Sequence, residues 1–228
     1  MKSRRLDTVV GFISLRTLAD IGTDHGYVPV QAYERGLVDR AIACDISAGS
    51  LEKAAINIAM RGLEKVIQTR LGDGLSKILP GEVQTVTIAG VGGRLAAQIL
   101  TAQPEVIHSI TQLIIQPQSD IPFVRRICHE LGFCISEEIM LKENGKYYNI
   151  MNCYCGSDDK YTDLEYEYGK KLIEKKDTVL KDYLMKIING YDRIYKSMCG
   201  FDMKPETAGR ASEIENLIAG AKDVFDCL

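Results

Sequence analysis

The apolar residues in the first two thirds of the chain form short runs. Five runs, each followed by Gly, Asp, Pro or Ser, have the pattern of buried parallel strands: 17–20, 41–45, 66–71, 85–89 and 113–116. Segments of helix length lie between them, at about 27–36, 47–61, 92–103 and 120–131. The alternation predicts an α/β fold: a doubly wound, mostly parallel sheet with helices on both faces.

The next two apolar segments, 133–141 and 146–155, are separated by Lys142, Glu143, Asn144 and Gly145. Asn-Gly is a strong hairpin signal because both residues tolerate positive φ. An antiparallel pair is therefore expected to close the sheet.

From Asp158 the apolar spacing changes to heptads. Ile173, Leu180, Ile187 and Ile194 repeat every seven residues, with Leu184, Tyr191 and Met198 offset by four. The pattern predicts one long helix, ended by Cys199 and Gly200, and a second opened by Pro205 whose apolar face is Ala211, Ile214, Leu217, Ile218 and Ala221. We therefore predict a Rossmann-like domain over 1–157 and an α-helical coiled-coil hairpin over 158–228, packed on itself or on a partner.

Composition indicates an ordinary globular protein, with 46% apolar and 26% charged residues among 228. No apolar run reaches the roughly 18 residues of a membrane span, so we expect a cytoplasmic protein without membrane contact. The seven scattered cysteines favour reduced thiols. The close pair Cys153 and Cys155 has strand spacing without further ligands nearby, so no metal is expected.

The net charge of −3 gives no global argument for nucleic acid. Locally, however, residues 170–196 carry eight basic residues against four acidic ones. This segment is either a phosphate contact or the solvated face of a coiled coil.

The loop after the first predicted strand runs Asp20-Ile21-Gly22-Thr23-Asp24-His25-Gly26. Gly22 and Gly26 permit a sharp turn and a close ligand, although a packing role is an alternative. The loop lacks the G-x-G-x-x-G spacing of pyrophosphate sites, and its two carboxylates would repel phosphate. It suits a cationic or hydroxyl-rich ligand such as S-adenosylmethionine, which has a sulfonium, an ammonium and a ribose diol.

The next two strand ends fit the same ligand. Asp45 lies 25 residues after Asp20, where a carboxylate can hold ribose hydroxyls, although it can also cap the following helix. After the third strand, Asp73 between Gly72 and Gly74 can accept from an adenine amino group, or form a simple turn.

The fourth strand ends in Ala89-Gly90-Val91-Gly92-Gly93, whose glycines predict a bulky group close to the backbone. The fifth ends in Gln116-Pro117-Gln118, where the amides can read the polar edge of a base or the proline can form a turn.

Several of these segments together resemble the bacterial tRNA (adenine-22-N1)-methyltransferase family. The similar segments are Ser3–Leu6, Ala19–His25, Gly72–Leu75, Thr87–Gly93, Gln116–Pro117 and Gly145–Tyr148. The chain departs from that family at three positions, with Val91 for Met, Gln118 for Asn and Asp45 for the usual Glu.

The resemblance implies a class I methyltransferase fold, S-adenosylmethionine as methyl donor, and transfer to N1 of a tRNA adenine by direct displacement. Asp24 is the expected catalytic residue, stabilising the charge on the base or accepting its proton, with His25 orienting Asp24 or capping the next helix. The cofactor is expected to contact Asp20, Gly22, Thr23, His25, Gly26, Asp45, Ile46, Gly72, Asp73, Gly74, Ala89 and Gly90. The tRNA is expected to contact Arg5, Tyr27, Val91, Gly92, Gly93, Gln116, Pro117, Gln118, Lys171 and Lys175.

We expect the protein to be a monomer or a weak homodimer. Other readings of the same loops are a methyltransferase for another RNA, a protein or a small molecule, and a cofactor- or RNA-binding protein without activity. A nicotinamide-dependent dehydrogenase is disfavoured by the missing phosphate fingerprint, and a DNA amino-methyltransferase by the missing proline-aromatic motif after the fourth strand.

Overall fold

The computed structural model describes residues 3–198 and 205–228. The chain divides into two compact units, one ending at Lys160 and the other beginning at Tyr161. The strands are β1 (Thr17–Ile21), β2 (Arg40–Asp45), β3 (Ile67–Leu71), β4 (Thr85–Val91), β5 (Gln112–Pro117), β6 (Phe133–Glu143) and β7 (Lys146–Cys155). The helices of the first unit are α1 (Arg4–Phe12), α2 (Tyr27–Glu34), α3 (Ala48–Ala59), α4 (Gly93–Ala102), α5 (Pro104–Ile107) and α6 (Ile121–Glu130).

The seven strands form one sheet in the order β3-β2-β1-β4-β5-β7-β6. Strands β1 to β5 are parallel, and β7 pairs antiparallel with both β5 and β6. The predicted doubly wound sheet with a closing hairpin is therefore confirmed. The central strands are buried because helices cover them, as in β5, where every residue is buried although two of them are glutamines.

The hairpin turn is tighter than predicted, since β6 continues to Glu143. Asn144 and Gly145 form the turn with φ of 51° and 76°. Two positive φ values in succession fit a type I′ turn, which matches the twist of the paired strands.

Helix α1 is an element that the apolar pattern did not predict. Ser3 caps it by accepting a hydrogen bond from Leu6 N at 3.4 Å. Val9 and Val10 are fully buried in the cluster that joins α1, α2 and α3 to the sheet. The helix therefore belongs to the core of the first unit.

The second unit contains α7 (Asp163–Tyr168), α8 (Lys170–Glu174), α9 (Thr178–Met198) and α10 (Pro205–Cys227). The prediction of one helix through the heptads was wrong at its start. Lys176 has φ 53°, and the Asp177 carboxylate accepts from Val179 N and Leu180 N at 2.9 Å, so a new helix begins there.

The heptad positions of α9 differ in burial. Leu180 and Leu184 are fully buried, whereas Ile194 is 46% exposed. The predicted end of this helix at Cys199 and Gly200 lies outside the described residues. The coiled-coil assignment and the 157/158 domain boundary stay predictions.

Candidate active site at the carboxyl ends of the strands

Strand β1 lies between β2 and β4, and the chain leaves it toward β2 and returns through β4. This reversal of strand order opens a crevice beyond the carboxyl ends of β1 and β4, where doubly wound sheets bind ligands. The loops singled out in the sequence all follow the parallel strands, so they meet at this edge.

The loop after β1 is held between its two neighbours. Gly22 N and Thr23 N donate to Cys44 O at 2.9 and 3.0 Å, at the end of β2. Gly22 has φ 77°, and a Cβ built on it would lie 3.6 Å from Cγ1 of Val91, at the end of β4. Glycine therefore meets a backbone requirement here and brings the two strand ends together.

Asp20 is a buried carboxylate at the base of this loop, with 5% of its surface exposed. Burial raises its pKa above the ordinary value, and the nearby charge of Asp45 adds to this. Hydrogen bonds to the carboxylate oppose this rise in pKa. The main one comes from the Thr87 hydroxyl, which donates to Asp20 Oδ1 at 2.7 Å. Such a buried, partly compensated acid favours a cationic ligand group above it.

The hydroxyl of Thr23 is an unsatisfied polar group in the same place. Thr23 is 3% exposed, and its Oγ1 forms no hydrogen bond of good geometry with any described residue, although it is near enough to Asp20 to lower the pKa of that carboxyl. A buried hydroxyl without a partner costs about 1–3 kcal/mol. A polar ligand in the crevice would remove that cost.

Asp45 and Ile46 form the next part of the edge. Asp45 Oδ1 accepts from Ser47 N at 2.7 Å, and Ser47 itself caps α3, so the alternative of Asp45 as the helix cap is wrong. Ile46 is 70% exposed, an apolar surface beside the carboxylate. The pair fits a ribose diol and the face of a base.

The loop after β3 is joined to the same place, since Gly72 N donates to Asp45 O at 3.0 Å. Asp73 is exposed, and its carbonyl accepts from Ser76 N at 3.0 Å to close a turn. Gly74 has φ 52° and lies against Ile99. Both readings of this loop, adenine contact and turn, are compatible with this geometry.

Asp24 lies at the outer part of the first loop, with 66% of its side chain exposed. Its carboxylate is 3.4 Å from His25 Nε2 and 3.5 Å from Nζ of Lys53 on α3. The His25 ring stacks on Tyr27 with centroids 5.1 Å apart. Gly26, at φ 65°, is the cap residue of α2, so His25 does not cap that helix.

At the end of β4, the pairing with β5 is irregular between Ala89 and Val91, and Gly90 has φ 83°. The Gln118 side chain donates to Gly90 O at 2.7 Å, and Gln118 N donates to Val91 O at 2.8 Å. This amide is exposed and is held across the strand end, beside the crevice.

The two glycines that follow serve helix packing. Gly92 is the cap residue of α4. A Cβ on Gly93 would lie 2.3 Å from Ser119 O and 2.9 Å from Asp120 Cβ, which is too close for any side chain. Gly93 therefore allows α4 to begin directly against the turn after β5. The predicted contact of Gly93 with the substrate remains a proposal.

Gln116 and Pro117 are buried, which differs from the expected display of amides. Gln116 Oε1 accepts from Arg5 Nη1, and Gln116 Nε2 donates to Pro117 O at 2.9 Å. The amide is thus satisfied within the protein. Arg5, from α1, reaches this strand end and lies 5.6 Å from the ring centroid of Tyr148.

The structure brings together the predicted cofactor residues and Arg5, Tyr27, Val91 and Gln118 within the first unit. Lys171 and Lys175 lie in the second unit, where Lys171 Nζ is 3.3 Å from Glu174 Oε2. The sequence reasoning missed Thr87, Lys53 and the contact of Tyr148 with Arg5. A threonine in an apolar strand and a lysine on a helix give no local signal, although Tyr148 lies in a segment that carried the family resemblance.

The described part of the chain contains no group of three or more His, Cys, Asp or Glu residues arranged to hold a metal ion. Within the same residues, no helix is both long and apolar enough to cross a membrane.

Comparison with known proteins identifies relatives of the whole first unit. Residues 2–151 match the model of the methyltransferase domain family. The tRNA (adenine(22)-N(1))-methyltransferase of Bacillus subtilis is 35% identical over 158 residues. That alignment covers 69% of this chain and 66% of the relative, just under two thirds of its length.

Solved structures match over nearly the full chain. A Streptococcus pneumoniae protein in complex with S-adenosyl-L-methionine has a TM-score of 0.88 and 30% identity, with 99% of this chain and 100% of that chain covered. M. capricolum TrmK in complex with S-adenosyl-homocysteine has a TM-score of 0.86 and 28% identity, with 100% and 99% covered. The resemblance noted in the sequence is thereby confirmed.

Proposed function

This chain belongs to the methyltransferase domain family, and we propose that it transfers the methyl group of S-adenosylmethionine to N1 of adenine 22 in tRNA. The observation that carries the proposal is the buried pair Asp20 and Thr23 at the carboxyl end of β1. One residue is a buried acid and the other an unsatisfied hydroxyl, and both lie where the β1 loop meets β4. The complexes of the relatives with this cofactor or its product support the choice of ligand.

The residues of the crevice fit S-adenosylmethionine by their chemistry. Asp20 and Thr23 suit its charged and polar groups, Asp45 the ribose hydroxyls, and Ile46 the adenine face. Gly72, Asp73 and Gly74 close the adenine end, and Gly22, Gly26, Ala89 and Gly90 allow close backbone approach. When bound, the cofactor supplies an electrophilic methyl group on a sulfonium. The protein's task is to hold the acceptor nitrogen in line with that group.

Alkylation of N1 makes the adenine ring cationic until a proton leaves its amino group. Asp24, exposed at the outer loop, is our candidate for stabilising that charge or accepting the proton. Lys53 and His25, at 3.5 and 3.4 Å, hold the Asp24 carboxylate in place. Tyr27, which stacks on His25, and Gln118, which is bonded to Gly90 at the end of β4, are proposed to contact the base.

The target base lies within a folded RNA, so it must be exposed or flipped into the crevice. Arg5 is the proposed phosphate contact of the first unit, and Lys171 and Lys175 those of the second. A tRNA substrate favours a cytoplasmic location. We keep monomer or weak homodimer as the proposed assembly, which sedimentation over a concentration range tests.

The test is transfer of tritiated methyl from S-adenosylmethionine to unmodified tRNA, with the modified nucleotide located by mass spectrometry. The expected product is N1-methyladenine at position 22. A matched tRNA with guanine at position 22 is the control and is expected to remain unmodified. Labelling at another position, or binding of both ligands without transfer, would overturn the proposal.

A further inference from the structure

Gln116 lies at the carboxyl end of β5 with none of its surface exposed. Its Oε1 accepts from Arg5 Nη1 and its Nε2 donates to Pro117 O at 2.9 Å. A residue that reads a base edge must present free donors or acceptors to it. Because Gln116 is fully buried and both its amide atoms are hydrogen-bonded within the protein, it can act on a substrate through Arg5, its side-chain partner.

Arg5 is fixed from three sides at the mouth of the crevice. Gln116 accepts one of its hydrogen bonds, and the Tyr148 ring centroid lies 5.6 Å from the guanidinium carbon. A Cβ on Gly90 would lie 3.6 Å from Arg5 Nη1, so the guanidinium lies beside the end of β4. Among the described residues, the bond to Gln116 is the one hydrogen bond or ion pair that the Arg5 guanidinium forms, although arginine has five N–H donors.

The start of α1, which carries Arg5, is also anchored. The Glu143 carboxylate at the end of β6 accepts from Arg4 N at 2.7 Å and from Ser3 Oγ at 3.0 Å. These bonds lower the pKa of Glu143, and the Arg5 charge contributes to the shift. The carboxylate is therefore occupied by the helix start and forms no direct ion pair with Arg5.

The charge of Arg5 decides which part of the substrate it suits. Methylation at N1 leaves a positive ring, and a fixed guanidinium beside that ring would oppose the reaction. A phosphate group instead matches the planar donors of arginine. We propose that Gln116 is a positioning residue that fixes Arg5 against a phosphate flanking the target adenine, an inference that rests on the proposed function.

A double-mutant cycle of Arg5→Ala and Gln116→Met tests this inference. Methionine keeps the buried volume of Gln116 and removes the acceptor. Methyl transfer is measured against tRNA concentration at saturating S-adenosylmethionine and at several salt concentrations. Gln112→Met is the matched control, because Gln112 is equally buried on β5 and its Nε2 donates to Phe12 O at 2.6 Å, at the opposite end of α1.

We expect each single variant to raise the KM for tRNA about tenfold, and the double variant to be no worse than Arg5→Ala alone. The slope of log KM against log salt should fall by about 1 in all three. The Gln112→Met control should lose stability while keeping the tRNA KM and the salt slope. If the increases in KM of the two single variants multiply in the double variant, the two residues act independently and the inference is overturned. Loss of the preference for adenine in Gln116→Met would also overturn it, because Gln116 would then be a base-reading residue.

If Gln116→Met does not fold, Tyr148→Leu carries the same expectation, since it removes the other support of Arg5 from a half-buried position. An unchanged tRNA KM and salt slope in Tyr148→Leu would then overturn the inference. Failure of the proposed function is recognised separately, because the wild-type protein would then transfer no methyl group to tRNA.

Discussion

The hydroxyl of Thr87 donates a 2.7 Å hydrogen bond to Oδ1 of Asp20 and so links the ends of β4 and β1 beneath the crevice. The parallel register pairs these two residues directly. A buried carboxylate is tolerated here because a neighbouring strand supplies a donor. The remaining cost of burial makes the contribution of Asp20 to the free energy of unfolding depend on pH.

Because burial raises the pKa of Asp20 above 3.8, the folded state binds more protons than the unfolded state. The free energy of unfolding contributed by Asp20 therefore falls as pH rises from about 4 through the folded pKa. We expect Asp20→Asn to lack this loss, so its stability relative to wild type should be greater at pH 8 than at about pH 4, where the loss begins, while cofactor binding weakens. Urea denaturation at both pH values measures this, with exposed Asp159→Asn as control. An equal difference at both pH values would contradict the prediction.

Asp24→Asn tests the proposed acid at the base. Since the Asp24 side chain is 66% exposed, the change should leave stability within about 0.5 kcal/mol of wild type. It should lower kcat about 100-fold or more while cofactor affinity stays close to wild type. Single-turnover transfer and calorimetry measure these quantities. Asp39→Asn, an exposed acid paired with Arg16 at the amino end of the sheet, is the control. Full-rate methylation by Asp24→Asn would remove the assigned role.

Gly93→Ala and Gly11→Ala form a matched pair within helices. A methyl group on Gly93 would meet Ser119 O at 2.3 Å, so the turn after β5 must move, at a cost of about 1–3 kcal/mol. A methyl group on Gly11 meets nothing within 4 Å and should stabilise α1 by roughly 0.5–1 kcal/mol. Chemical denaturation measures both. Equal effects of the two changes would show that the Gly93 contact does not constrain the fold.

The buried ion pair of Arg125 and Glu138 joins α6 to β6, with Nη2 and Oε1 2.6 Å apart and side chains 1% and 0% exposed. Asn149 Nδ2 also donates to Glu138 Oε1, at 3.1 Å. Glu138→Leu should therefore cost about 3–5 kcal/mol, because the buried guanidinium loses the carboxylate that lies 2.6 Å from it.

Adding Arg125→Met to Glu138→Leu should recover much of that loss, since the buried guanidinium is then removed together with the Glu138 carboxylate. Unfolding free energies of the two single variants and the double variant measure the coupling. Additive losses in the double variant would contradict this account.

The sequence by itself determined the strands of the first unit and its helices α2, α3, α4 and α6. Their signals lie in consecutive residues: apolar runs for β1 to β5, and Asn144-Gly145 for the hairpin. The acid-lined loop after β1 was equally readable, since its glycines and carboxylates are adjacent. The heptad spacing wrongly placed Ile173 in the same helix as Leu180, because the spacing of apolar residues does not reveal the helix break at Lys176.

Only the tertiary structure decided which of these residues act together. Thr87 supports Asp20, 67 positions away, because β4 adds to the sheet beside β1. Gln116 appeared able to read a base, yet it is buried beneath Arg5, which comes from 111 positions earlier in the chain. Periodicity records how a segment faces its surroundings, whereas strand order and helix docking set which distant side chains meet. The local sequence therefore determined most of the elements and the acid-lined loop, whereas α1 and the partners of these residues were decided by packing.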